Sequence, residues 1–249
     1  MIDGSGEHWW LWSERASRNA LKDGKPARIT FRRPHLIVID TCLRLREADV
    51  TLTNSSMFHF VPRSIDDITV ERVMVRSPWD GSAPNTDDID PGPGRNFWIH
   101  HCDIDTGDDD IVMKSGGTNI LIEDNPIGHG HGISIGSETT VGVHHMLVRN
   151  CTFDGTDIGL RIKSIRGAGG IVEDVRYENI RMRNVEKAFV LRLDYANKTA
   201  RTSKAIRLKF RCFATLPSST SPSTTPAKPV RSTELRKARS SASPFGTSN

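Results

Sequence analysis

Four short segments between residues 85 and 164 concentrate the side chains that could do chemistry. They are NTDDID (85–90), TGDDDI (106–111), GHGHGISIGSE (128–138) and RIKS (161–164). Adjacent carboxylates cannot all ionise at low cost, so at least one pKa should rise and supply a proton donor beside a carboxylate that stays charged. That division of labour suits glycoside hydrolysis, in which one carboxylic acid protonates the leaving oxygen and a second carboxylate activates water.

A repeat of short apolar segments predicts how these side chains are positioned. Strand-like segments begin at Val50, Ile68, Phe97, Ile120, Met146 and Val175. Seven residues further on, each has another apolar residue: Met57, Val75, Ile104, Ile127, Phe153 and Met182. An irregular period of about 20 to 30 residues with two-residue alternation is typical of a solenoid of stacked coils. We therefore predict an all-β parallel β-helix. A sandwich or barrel would need tight hairpin turns every 8 to 12 residues, which the sequence lacks.

The repeat predicts one patch of acids. Asp108 and His131 each stand eleven residues after the start of their segment, so they should lie one above the other, about one strand spacing apart. Asp87 and Asp109 stand ten and eleven residues before the next segment and should be nearly level. Stacked coils would gather these four side chains.

Two cations should border that patch. Arg161 and Lys163 alternate with Ile162, so on a strand both should project outward on one face. A pair of cations in a groove suits a sugar that carries its own carboxylate. Alone, such a pair is usually a solvated strand face.

Other uses of these residues are less well supported. The acidic run that begins at Asp103 lacks the Gly and Glu that an EF-hand loop requires at its sixth and twelfth positions. His129 and His131 could share a metal but have no obvious third soft ligand, so we expect no metal and no cofactor. Packing is the default role of Trp9, Trp10, Trp79 and Trp98, although an exposed one could stack on a sugar.

Composition changes abruptly near residue 200. Residues 200–249 contain 22 Ser, Thr or Pro, 10 Lys or Arg and one acid, whereas residues 1–199 carry a net charge of −5. We predict a β-helix over residues 1–199 and a disordered basic tail over 200–249. The tail could be a linker, a basic anchor or the out-of-frame end of a longer gene.

The same survey excludes several classes of protein. No apolar run approaches the roughly 20 residues of a membrane span, and the residues after Met1 lack the basic and then apolar pattern of a signal peptide, so we expect neither. We expect no membrane or nucleic-acid partner. The cysteines are too few and scattered for a disulfide scaffold or a zinc site, and we expect them to be small buried residues: Cys42, Cys102, Cys151 and Cys212.

In order and spacing, the four segments resemble glycoside hydrolase family 28, the polygalacturonases and their relatives. The family pattern is Asn-Thr-Asp, then Asp-Asp after Gly or Gln, then Gly-His-Gly, then Arg-Ile-Lys. The resemblance extends from IDGSGEHWW at residue 2 to about Tyr195. It implies a right-handed, single-stranded parallel β-helix and inverting hydrolysis of α-1,4-linked galacturonate in pectin, an acidic polysaccharide.

The resemblance also implies roles for the acids. Asp108 resembles the general acid, and Asp87 and Asp109 resemble the pair that holds and deprotonates the attacking water. His131 would support the protonation state of this cluster.

Three further residues would bind the substrate. Asn85 would position Asp87 or the sugar, and Arg161 and Lys163 would clamp the galacturonate carboxylate. A monomer is expected, and the full-length parent would be extracellular or periplasmic.

The sequence departs from the family at several points. Asp88 stands where a small residue is usual, and its extra charge could shift the pH optimum. Asn125 and Pro126 replace the usual residues before Ile127, and the proline removes a ladder hydrogen bond, which predicts a local distortion. Family members usually have a signal peptide and more coils at both ends, so the chain is expected to be an incomplete copy.

Other functions remain open from sequence alone. A relative that hydrolyses a substituted or rhamnose-containing pectin backbone would share the four segments. Pectate lyases share the coils but depend on calcium and elimination. An inactive carbohydrate-binding β-helix would be compatible with an incomplete copy.

Overall fold

A computed structural model describes residues 1–11, 32–165, 167–195 and 207–209. All of them belong to one compact unit, Met1–Thr215. Within these residues the chain forms nineteen β-strands in three sheets, and residues 7–11 are helical. No helix in this described part is long and apolar enough to cross a membrane.

Each sheet collects strands from successive turns of the chain. The first sheet contains β1 (Ile2–Asp3), β4 (Thr51–Thr53), β6 (Met74–Arg76), β8 (Asp103–Asp105), β11 (Pro126–Ile127), β14 (Thr152–Asp154) and β17 (Arg181–Arg183). The second contains β2 (Ile37–Cys42), β3 (Leu45–Ala48), β5 (Phe60–Glu71), β7 (Gly94–His100), β10 (Gly116–Glu123), β13 (Gly142–Arg149), β16 (Ile171–Glu178) and β19 (Arg207–Lys209). The third contains β9 (Ile111–Met113), β12 (Ile133–Ile135), β15 (Ile158–Lys163) and β18 (Lys187–Arg192).

The chain visits the second, first and third sheets in turn, and neighbouring strands within each sheet are parallel, for example β7, β10 and β13. Parallel pairs need a crossover rather than a hairpin, and here the crossover is the rest of the coil. The fold is therefore a parallel β-helix, as the repeat predicted. Its core is a stack of apolar side chains that point inward from all three sheets.

The predicted register is confirmed in all turns but the first. Ile68, Phe97, Ile120, Met146 and Val175 are paired in a row across the second sheet. The partners seven residues later form a matching row in the first sheet, from Val75 to Met182.

In the first turn the assignment was wrong. The residue that pairs with Ile68 of β5 is Leu45 and not Val50. The residue that pairs with Val75 of β6 is Leu52 and not Met57. Both pairs satisfy a seven-residue spacing, so the pattern alone could not choose between them.

A left-handed residue directly follows each of six strands of the second sheet and turns the chain into the first sheet. These residues have φ between 48° and 57°: Asp49, Arg72, His101, Asp124, Asn150 and Asn179. Four of the six are Asp or Asn, the non-glycine residues that tolerate this conformation best. The repeated turn keeps the coils in register while the loops elsewhere vary in length.

The side chain of Asn125 joins two coils. It is buried, its Oδ1 accepts from the Cys102 backbone N–H at 2.8 Å, and its Nδ2 donates to the Ile99 carbonyl at 3.2 Å. Pro126 still begins a strand, which pairs with β14, although that strand is two residues long.

The cysteine prediction holds for two residues. Cys102 and Cys151 are free and buried, whereas Cys42 is partly exposed, and Cys212 lies outside the described residues.

Little of the predicted tail is described. Residues 207–209 form β19, which pairs with β16, although they fall inside the segment predicted as a tail. The remainder of 200–249 lies outside the described residues, so the boundary at residue 199 stays a prediction.

Candidate active site

Loops between the first and third sheets bring the predicted acids together. Asp108 and Asp109 follow β8, and His131 follows β11 one coil further on. Asp87 precedes Ile89, which bridges in parallel to Ile111, so Asp87 and Asp109 occupy the same level on neighbouring coils. The structure thus places all four predicted residues on adjacent coils, in the register that the repeat predicted.

Asp108 lies between a histidine and an amide. The Nδ1 of His131 donates to its Oδ1 at 3.0 Å, and the Nδ2 of Asn85 donates to its Oδ2 at 3.4 Å. Burial alone would raise the pKa of Asp108, but the hydrogen bond and charge of His131, with Lys163 and Lys114, hold that pKa below its ordinary value. In the free site Asp108 is therefore ionised at neutral pH.

Of the two carboxyls Asp87 and Asp108, Asp87 is the one whose pKa is raised. It is buried, and burial raises its pKa to about 7, although the neighbouring Lys114 opposes the shift. The Nζ of Lys114 donates to its Oδ2 at 2.5 Å. The charge of Asp108 raises the pKa of Asp87 further. One carboxyl therefore has a raised pKa beside an ionised one, as predicted from the clustering of acids.

Asp109 is held by the two predicted cations. Arg161 donates from Nη2 to its Oδ1, and the Nζ of Lys163 lies 2.6 Å from its Oδ2. Ser134 connects the arrangement, because its Oγ donates to Asp109 Oδ1 at 2.9 Å and accepts from Arg161 Nε at 3.1 Å. The charge of Asp109 is balanced on both oxygens.

The two cations project outward from the core, as the alternation predicted, but they are buried. Arg161 and Lys163 lie on the opposite side of the strand from the core residue Ile162, as expected, but their side chains are only 7% and 6% exposed. Neighbouring coils cover them, and Asp109 supplies the countercharge. We call Lys114, Arg161 and Lys163 the cation group.

Sequence reasoning missed Lys114 and Arg33. Met113 and Ile162 both pair with Ile135 in the third sheet. Lys114 and Lys163 are the residues that follow them, so the two lysines lie in one row across that sheet. That register could have identified Lys114. Arg33 Nη2 donates to Asn85 Oδ1 at 2.7 Å. Arg33 precedes β2, outside the repeat, and the sequence offers no signal for it.

Asp88, which stands where a small residue is usual in the family, is buried against a histidine. It is fully buried, and its Oδ1 lies 3.0 Å from Nδ1 of His59, which is also buried. Burial raises the pKa of Asp88 to about 6. On the other side of the imidazole, Nε2 accepts from Ser77 Oγ at 3.0 Å. The backbone N–H of His59 donates to the Asp87 carbonyl at 2.8 Å, so this buried pair supports Asp87.

Three site residues could approach a metal ion. One ligand atom from each of Asp108, Asp109 and His131 lies within 4.8 Å of the others. Both oxygens of Asp109 already bind cations of the chain, however, and a divalent ion would have to compete with Arg161 and Lys163.

Comparison with known proteins identifies the family. The sequence model of "Glycosyl hydrolases family 28" matches residues 1–220. An endo-polygalacturonase of Pectobacterium carotovorum subsp. carotovorum is 38% identical over 195 residues, which cover 76% of this chain and 46% of that protein. A polygalacturonase of Chamaecyparis obtusa is 34% identical over 204 residues, 80% of this chain and 38% of that protein.

A solved structure has the same fold. The polygalacturonase from Erwinia carotovora ssp. carotovora superimposes with a TM-score of 0.71 at 34% identity, and the match covers 82% of this chain and 55% of that one. The chain therefore spans less than half the length of the two relatives above. Its matched residues include the whole of the site, and it belongs to glycosyl hydrolases family 28.

Proposed function

We propose that the chain is the catalytic region of a polygalacturonase-type glycosidase, which hydrolyses α-1,4-galacturonosyl linkages of pectin with inversion. The observation that carries the proposal is the cluster of Asp87, Asp108 and Asp109 on adjacent coils, bordered by the cation group. Two carboxylates supply acid and base for glycoside hydrolysis, and the cations suit a sugar that is itself an anion. The names of the relatives support this substrate class.

Asp108 is the general acid in this mechanism. It is the partly exposed member of the cluster, 20% exposed, so the glycosidic oxygen can reach its carboxyl. His131 and Asn85 bind its two oxygens and fix the plane in which its proton is delivered.

Asp87 and Asp109 hold the attacking water on the opposite face of the sugar. Water in this position requires a carboxylate that accepts its proton as the glycosidic bond breaks. Arg161 and Lys163 fix both oxygens of Asp109, which keeps this side of the water site in place, and Asp87, whose pKa is raised, can accept the proton. Attack from the face opposite the leaving group inverts the anomeric carbon.

The mechanism requires a proton to move within the cluster. In the free site the raised pKa belongs to Asp87, whereas catalysis requires the proton on Asp108. Interacting carboxyls titrate as a set, so one proton can pass between them at small cost. A bound uronate, which neutralises part of the cation group, would raise the affinity of Asp108 for that proton.

The direct test is release of reducing ends from polygalacturonate by the purified chain in the presence of chelator, with Asp108→Asn as the inactive reference. We expect activity without added metal. Activity that disappears with chelator and returns with calcium, or a product that absorbs in the ultraviolet, would identify a lyase instead. Absence of both products on pectic substrates would favour a carbohydrate-binding β-helix.

The remaining predictions are finer. Arg161 and Lys163 favour plain galacturonate over a rhamnose-containing backbone, because each saccharide unit of polygalacturonate carries a carboxylate for them. Extracellular or periplasmic location of the full-length protein and a monomeric state stay predictions.

A further inference from the structure

An exposed tryptophan is stacked on a histidine beside the proposed acid. Trp79, in the segment between β6 and β7, is 57% exposed. Its ring is parallel to that of His129, with ring centroids 3.8 Å apart and planes 7° from parallel. The Nδ1 of His129 in turn donates to Asp105 Oδ1 at 3.1 Å. The indole is therefore held in one plane by a ring that is itself anchored to the end of β8.

The stack is continuous with the site. Asp105 stands three residues before Asp108 in the chain. The segment that carries Trp79 packs on Gly107, where a Cβ would lie only 2.7 Å from the Pro78 carbonyl oxygen. This close approach places the segment directly against the residue that precedes Asp108. Trp79 thus extends the surface on which the proposed acid lies.

Asp105 binds the stack itself and other carboxylates lie near it in the chain or beside His131, whereas the cation group pairs with Asp87 and Asp109. Asp80 follows Trp79 and is exposed. Asp157 is 67% exposed, with its Oδ2 3.6 Å from Nε2 of His131. A uronate anion on this side of the acid would approach these like charges, away from the cations that favour it on the other side.

We propose that Trp79 is a sugar-binding platform for an uncharged residue of the pectic chain, a methyl-esterified galacturonate. The inference rests on the proposed function. The C–H groups on one face of a pyranose form an apolar surface that packs on an indole, and the fixed ring loses little conformational entropy on binding. The ester removes the charge that the neighbouring carboxylates oppose. The cleft would then bind a charged residue at the cation group and an esterified one at Trp79.

The test is calorimetric binding to the full 249-residue chain carrying Asp108→Asn, which prevents turnover. Galacturonate oligomers of one length are compared in fully de-esterified and methyl-esterified forms. We expect Trp79→Ala to weaken binding of the esterified oligomer by roughly 3- to 10-fold and of the de-esterified one by less than about twofold. Trp79→Phe, which keeps a ring, should restore part of the affinity.

Trp98→Ala is the matched control. Trp98 is also exposed and stacked on a histidine, His100, but lies on the second sheet, away from the site. Trp98→Ala should leave the affinities for the esterified and the de-esterified oligomer unchanged. Equal weakening of both oligomers by Trp79→Ala, no weakening, or no binding of the esterified oligomer would each overturn the proposal. Hydrolysis is measured separately on the parent chain, so a Trp79 effect without hydrolysis would refute the proposed function alone.

Discussion

Each acid of the site has a different compensating partner. Lys114 pairs with Asp87, two cations pair with Asp109, and His131 binds Asp108. A buried carboxylate without such a partner would be neutral or strongly destabilising. The pairing lets the pKa values of Asp87 and Asp108 differ although the two carboxyls lie on adjacent coils, which is the requirement for acid and base catalysis in one cleft.

We expect Asp108→Asn to lower kcat by roughly 10² to 10⁴ while substrate binding is nearly unchanged, because an amide keeps the size of the carboxyl but cannot donate its proton. Asp110→Asn is the matched control. Asp110 is fully buried, its pKa is raised well above the ordinary value by burial, and its Oδ2 accepts from the Gly132 N–H at 2.7 Å, which an amide oxygen can also do. Steady-state kinetics on polygalacturonate distinguish the two variants. An active Asp108→Asn chain would remove Asp108 from the acid role.

Lys163→Ala should lower kcat/KM for galacturonate oligomers by roughly ten- to a hundredfold, since it removes a buried countercharge from Asp109 and from the substrate carboxylate. The exposed Lys187 on the neighbouring strand β18 provides the control substitution, Lys187→Ala, which should be silent. If the two variants turned over charged oligomers at the same rate, the carboxylate clamp would be wrong.

The pH dependence of stability tests the burial of Asp88. Its folded pKa of about 6 exceeds the unfolded value near 3.9, so its contribution is complete below about pH 4 and is lost as the pH rises through 6. The loss amounts to about 3 kcal/mol by pH 8. Asp88→Asn mimics the neutral carboxyl, so chemical denaturation at pH 5 and pH 8 should show a smaller difference in the variant than in the parent.

The exposed Asp40 is the reference for that comparison. Asp40→Asn should leave the parental pH dependence intact. If the free energy of unfolding changed by the same amount between pH 5 and pH 8 in the parent and in Asp88→Asn, Asp88 would already be ionised at pH 5.

The residue types in the sequence identified three acids and one histidine as candidates, and the register of the coils correctly predicted that they lie together: Asp87, Asp108, Asp109 and His131. What the sequence could not show was which charges neutralise each other. Alternation placed Arg161 and Lys163 on the outer face of their strand, but it does not show what covers that face. Arg33 contributes from outside the repeat, and no spacing connects it to Asn85.

At the scale of elements, each coil combines short strands with a left-handed residue directly after its strand in the second sheet. The apolar rows in the first and second sheets were predicted correctly in five of the six turns. In each of these the connection between the two strands has the same length, so the spacing of seven residues is kept. The first turn was not, since Leu45 and Val50 both fit an alternating apolar pattern. Loops between the first and third sheets vary in length, and they hold the site.

Asn125→Ala tests the connection between coils. The variant leaves the buried Cys102 N–H and the Ile99 carbonyl without their side-chain partner, which costs roughly 1 to 3 kcal/mol for each buried group left unsatisfied. Thermal unfolding should show a clearly lower Tm. Thr152→Ala, at an exposed position on the next strand of the same sheet, should change stability by less than about 0.5 kcal/mol. A Tm equal to that of the control would contradict the role assigned to Asn125.

At the scale of the whole molecule, the described coils contain all the residues to which the proposed reaction assigns a role. The chain nevertheless spans only 46% of the endo-polygalacturonase that it resembles. Each coil of a solenoid contacts mainly its neighbours, so the site depends directly on the few coils around it. The central claim, that these coils form an inverting hydrolase, can therefore be tested on the chain itself.

The most direct measurement is a proton NMR time course of galacturonate oligomers cleaved by the chain in the presence of chelator. With water held by Asp87 and Asp109 on the face opposite Asp108, the first reducing end should appear as the β-anomer and then equilibrate. First appearance of the α-anomer, or of an unsaturated product, would contradict the account.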